Sequence, residues 1–87
     1  MYTGKTASGF AFEIADSALN NMELVDAIAE SEDNPIALSQ VVGLLLGRVG
    51  RKQLYAHLRA EDGTVPVDAV VTEIEHIMKA CGEAGKN

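Results

Sequence analysis

The apolar residues change period along the chain. Phe10, Phe12 and Ile14 alternate with Ala11 and Glu13, the two-residue repeat of a strand with one buried face. Tyr2 to Thr6 form a second short run, and Ala7-Ser8-Gly9 between the two supplies a loop whose glycine can take positive φ. Residues 1–15 are therefore expected to form a β-hairpin with Phe10, Phe12 and Ile14 turned inward. Two strands alone are marginal in water. That face must lie on helices or on another subunit's sheet, and the open edge is a docking opportunity.

From residue 20 onward the repeat is helical. Asn20, with Glu23 three positions on, reads as a capping box. Leu24, Val25, Ile28 and Ala29 then make an apolar stripe, while Glu23, Asp26, Glu30 and Asp33 recur on another face. Asn34-Pro35 starts a second helix. Its residues Ile36, Leu38, Val41, Val42, Leu44, Leu45 and Leu46 are too many for one narrow stripe, so this helix should be buried on several sides or lie in an interface. Gly47 and Gly50 are expected to end it, and residues 51–59 to form a third helix with Leu54, Tyr55 and Leu58 inward and a basic face outward. Glu61-Asp62-Gly63 makes a turn, and Thr64-Val65-Pro66 opens a last helix carrying Val67, Val70, Val71, Ile74, Ile77, Met78 and Cys81. Gly82 is the expected stop, with a frayed tail over 83–87. The expectation is an α+β fold in a single domain, 1–87: an N-terminal hairpin, then about four short helices within 16–82.

Composition narrows the function. A chain of 87 residues buries only roughly 60–65 % of the surface its unfolded form exposes, so stability is modest without partners. The aromatic residues are Tyr2, Phe10, Phe12 and Tyr55, little surface for stacking bases or sugars. The net charge of −6 repels phosphate backbones and disfavours nucleic acid. Its distribution is uneven. Residues 1–34 hold one Lys against seven acids, 48–59 hold four basic residues and no acid, and 60–87 hold six acids against two Lys. Complementary charge of this kind suits docking to an opposite partner or a homo-oligomer joined basic face to acidic face. The single Cys81 excludes an internal disulfide and fits a reducing compartment. No run approaches the length and apolarity of a membrane span, and no signal-peptide pattern opens the chain.

No chemical motif survives inspection of its context. Gly4-Lys5-Thr6 has the ending of a phosphate loop without the earlier glycine, preceding strand or following helix. His57, His76 and Cys81 lack the spacing of converging metal ligands, and Cys81 reads as a small buried hydrophobe. The carboxylates read as exposed, with nothing to shift them toward acid or base catalysis. No catalytic residue, metal site or cofactor is expected. One rival reading uses the basic segment 48–59: a helix-turn-helix-like DNA-binding regulator presenting Arg51, Lys52, Gln53 and Arg59 to the duplex.

The order and texture of several segments carry a family resemblance. These are Phe10-Ala11-Phe12-Glu13-Ile14, Met22-Glu23-Leu24-Val25-Asp26-Ala27-Ile28-Ala29-Glu30, Asn34-Pro35-Ile36-Ala37-Leu38, Leu44-Leu45-Leu46-Gly47, Leu54-Tyr55 with His57-Leu58-Arg59, and Glu61-Asp62-Gly63-Thr64-Val65-Pro66. The chain resembles the small tail assembly chaperones of long-tailed bacteriophages and prophages of Gram-positive bacteria. The resemblance implies a non-enzymatic role in the host cell cytoplasm: binding the tape measure protein, keeping it soluble, and helping to recruit tail tube protein subunits. A groove lined by Leu44, Leu45, Leu54 and Leu58 would then take an amphipathic helix, with Arg51 and Lys52 and the acidic Glu23, Asp26 and Glu30 as charged partner contacts. It also implies a longer product made by backward ribosomal slippage. Gly85-Lys86-Asn87 can be encoded with the slippery run A-AAA-AAY in the required frame.

Overall fold

The computed structural model describes residues 1–84, with side chains to Gly82. Two strands, β1 (Tyr2–Lys5) and β2 (Ala11–Ile14), pair antiparallel with Tyr2 opposite Ile14 and Gly4 opposite Phe12. Four helices follow: α1 (Asp16–Leu19), α2 (Met22–Ser31), α3 (Pro35–Leu58) and α4 (Val67–Ala84). The fold is α+β, a hairpin laid on a small helical domain.

The hairpin forms as its alternation dictates. Phe10, Phe12 and Ile14 are buried, and Gly9 turns the loop at φ 93°. Thr6 Oγ1 accepts the Phe10 N–H, which satisfies a buried donor just outside the ladder. The Phe12 ring lies over Gly4 across the ladder: a Cβ on Gly4 would stand 2.8 Å from Phe12 Cζ. Gly4 is a seat for an aromatic ring. β2 packs on α3 and β1 on α4, so the inward face rests on this chain's own helices.

The start of α2 corrects the sequence expectation. The cap is Asn21, whose Oδ1 accepts the Glu23 N–H at 3.0 Å, whereas the Asn20 N–H goes to the Asp16 carbonyl. The unforeseen single turn α1 uses Asn20 as its closing residue and moves the cap one position on. The buried seam of α2 moves with it. Leu24 and Ala27 are buried and Ile28 half-buried, while Val25 is 50 % exposed and Ala29 is on the surface. Leu24, Ala27, Ile28 and Ser31 follow the i, i+3, i+4, i+7 spacing that one packed face requires.

In α3, Asn34 caps through Oδ1 to the Ile36 N–H and Pro35 occupies the first turn. The expected loop between two helices is one residue. Gly47, at φ 76° and ψ 175°, breaks the helix, and Gly50 is already helical again. Val41, Val42, Leu45 and Leu54 fill the core from both halves, while Ile36 is 79 % exposed. Ala60 and Thr64 close the next turn around Gly63 at φ 89°. Helix α4 buries Val70, Ile74, Ile77 and Cys81. It runs through the expected stop at Gly82 to Ala84, because glycine permits a left-handed cap without imposing one. Of the tail expected to fray, residues 83–84 belong to α4, and Gly85, Lys86 and Asn87, with the slippage expectation that rests on them, lie outside the described residues.

Candidate functional site

Helices α2 and α4 each pack on α3 and scarcely touch each other. The space between them is an open groove of about 560 Å³. Its walls are Ile28 from α2, Leu38 and Val41 from α3, and Val71, Ile74 and Met78 from α4, with Glu32 and Glu75 among its other lining residues. The groove exists because the α4 stripe is wider than one neighbour can cover. Val70, Ile74 and Ile77 reach the core, whereas Val67 and Val71 stay 57 % and 39 % exposed. An apolar strip of this kind beside a core is a recognised seat for an amphipathic helix.

The residues expected from sequence to contact a partner divide differently. Leu45 and Leu54 are core residues at 2 % and 0 % exposure, so they line no groove, contrary to expectation. They belong to one buried cluster with Phe10, Phe12, Leu24 and Ile77, since the hairpin, α2 and α4 all pack on α3. Leu44 and Leu58 are half-buried against that core. Glu23, Asp26, Glu30 and Leu44 do come together, lining a cavity of about 440 Å³ with Ala27, Gln40 and Gly43 on the other side of the α2–α3 seam. Arg51 reaches the same place from beyond the Gly47 break: a Cβ on Gly43 would lie 3.3 Å from Arg51 Nη1. Lys52 and Gln53 are exposed, and Arg59 donates from Nη1 to the Gly63 carbonyl at 2.7 Å. Arg51 and Arg59 are thus engaged at different ends of the second half of α3, and the break between the halves of α3 is one residue where a DNA-binding helix-turn-helix uses three or four.

Several groups in the structure were not visible as pairs in the sequence. His57, expected as a surface histidine, is exposed but engaged. Its Nε2 lies 3.0 Å from Ser8 Oγ and 3.2 Å from the Ser8 carbonyl, and its ring stands 5.7 Å from that of Phe10. A serine hydroxyl on an imidazole is half of a nucleophilic site. Here the neighbouring N–H groups of Gly9 and Phe10 are already given to Thr6, and the Ser8 hydroxyl is shared with Thr6 Oγ1 at 3.1 Å. The pair latches the hairpin tip to the end of α3. Glu73 contradicts the expectation that the carboxylates are exposed. It is 3 % exposed on α4, in line with Val70 and Ile77, and its Oε2 has no hydrogen-bond partner. Burial pushes the Cys81 thiol above its ordinary pKa, consistent with a packed hydrophobe. Asp62 is held below the usual carboxylate value by the Thr64 hydroxyl and N–H, at 2.7 and 3.0 Å.

Among the described residues no cluster of three or more His, Cys, Asp or Glu is placed to hold a metal ion, and no helix is long and apolar enough to cross a membrane. Comparison with protein-family models, with curated proteins and with solved structures finds no match.

Proposed function

We propose that this protein is a phage tail assembly chaperone that binds and solubilises the tape measure protein and helps recruit tail tube subunits without catalysing a reaction. The observation that carries the reading is the apolar groove between α2, α3 and α4. A tape measure protein consists of long amphipathic helices, whose apolar stripes aggregate unless covered. A groove walled by Leu38, Val71 and Met78 and open along one side offers such a stripe a matching surface. The sequence resemblance supplies the partner, and the groove replaces the leucine set first expected from sequence.

The test is a titration of the protein with a helical segment of a phage tape measure protein, followed by NMR. Shifts confined to Leu38, Val71, Ile74 and Met78 are expected. Val71→Asp, at a partly exposed position, should leave the melting temperature nearly unchanged and weaken binding at least tenfold, because it places a charge against an apolar stripe. Binding that ignores Val71→Asp, or shifts that map to the acidic cavity, would overturn the reading.

A further inference from the structure

Resting on that reading, the geometry points to the chemistry of the occupant: we infer that the groove selects an amphipathic helix whose apolar stripe is bordered by Lys or Arg. Of the residues that line the groove, the ionisable ones are Glu32 and Glu75. They come from opposite walls, Glu32 from the end of α2 and Glu75 from α4. Both are exposed, and among the described residues neither is paired with a Lys or Arg side chain.

The Glu32 wall is negative for a second reason. A helix C-terminus carries roughly half a negative charge from its unpaired carbonyls, and cations are the stabilising side chains there. Helix α2 instead ends on Glu30, Glu32 and Asp33 with no basic residue in its last turn. The last carbonyls of α2 are capped by neutral donors, the Asp33 and Asn34 N–H groups on Glu30 and the Ser31 hydroxyl on Ile28, so the carboxylates there have no cation of their own helix to offset them. Sequences that break a local rule in this way usually do so for a partner. A cationic side chain on the incoming helix would meet both the carboxylates and the end of α2, while its neighbours three and four positions away enter the groove. A helix bordered by Glu would meet like charge on both walls.

Two synthetic peptides of about 20 residues, with one apolar stripe and either Lys or Glu at every bordering position, separate the outcomes. The Lys peptide should bind about threefold to tenfold tighter at 0.15 M salt, as expected for a pair of exposed charge contacts. The gap should widen as salt is lowered, since screening lengthens from about 8 Å to about 30 Å at 0.01 M. The double variant Glu32→Lys/Glu75→Lys changes two exposed positions and should reverse the preference. Equal binding of both peptides, indifferent to salt, would overturn the charge selection and leave the groove reading in place. If neither peptide perturbs Val71 or Met78, the groove reading falls and the inference with it. Should the double variant not fold, the comparison of peptides on the unaltered protein still decides.

Discussion

Glu73 is the side chain most at odds with its surroundings. A buried carboxylate with an unsatisfied oxygen costs the fold about 1–3 kcal/mol, a cost that an apolar side chain of similar size does not carry. Glu73→Leu is therefore expected to raise the melting temperature by several degrees, at about 4–8 °C per kcal/mol for a domain of this size; differential scanning calorimetry reads it, and a fall would mean that Glu73 has a partner in solution. The burial was partly legible, because Glu73 falls three positions after Val70 and four before Ile77, inside the stripe itself. Residue type outweighed position in the sequence reading. His57 shows the opposite limit. Its bonds to Ser8 span 49 positions, and no local pattern encodes a contact between a hairpin tip and a helix end. His57→Ala should cost about 1 kcal/mol and speed hydrogen exchange at Gly9 and Phe10 more than in α4. At Asp62 the depressed folded-state pKa fixes the sign of a pH effect. The contribution to the 60–64 turn is present above the unfolded carboxylate's pKa and is lost as the pH falls through the lower, folded value.

At the scale of elements, the hairpin was legible because a two-residue repeat needs only one face to be covered, and Phe10 with Phe12 and Ile14 of β2 meets that condition. The α2 cap was misplaced by one because Asn20 and Asn21 are equal candidates until α1 claims the first. The break in α3 was visible in Gly47, but not its geometry. At φ 76° and ψ 175° the backbone sits in a region that side-chain-bearing residues avoid, at a cost of about 1–3 kcal/mol. Gly47→Ala should lower stability by that amount although a Cβ there meets nothing within 4 Å. Gly82 makes the control. It is helical, with equally open space around a Cβ, so Gly82→Ala should stabilise by up to about 1 kcal/mol. Thermal melts of the two variants moving in opposite directions would separate backbone strain from crowding.

Across the whole molecule, the sequence showed how much apolar surface there was, and not which part would be left uncovered. Leu45 and Leu54 looked available because nothing local reveals that the hairpin, α2 and α4 all settle on the same helix. Leu38, Val71 and Met78 looked like core because they share stripes with core residues. The available signal was the excess width of the α4 stripe, with Val67 and Val71 beside Val70 and Ile74. The charge blocks were legible as sums but not as surfaces, since Arg51 folds back over Gly43 on the far side of the Gly47 break. One further property follows from the position of the single cysteine. Cys81 lies on the packed side of α4, at 5 % exposure and at the edge of a small pocket lined by Tyr2, Thr3 and Phe12, so a thiol reagent too bulky for that pocket reaches it only when the helix lifts or the chain opens. The labelling rate is thus a clock for the opening of α4, readable without an added probe. Because α4 also forms one wall of the groove, a helix bound there holds the clock back by the factor 1 + [L]/Kd. A ligand at one hundred times its dissociation constant should slow modification of Cys81 by about a hundredfold.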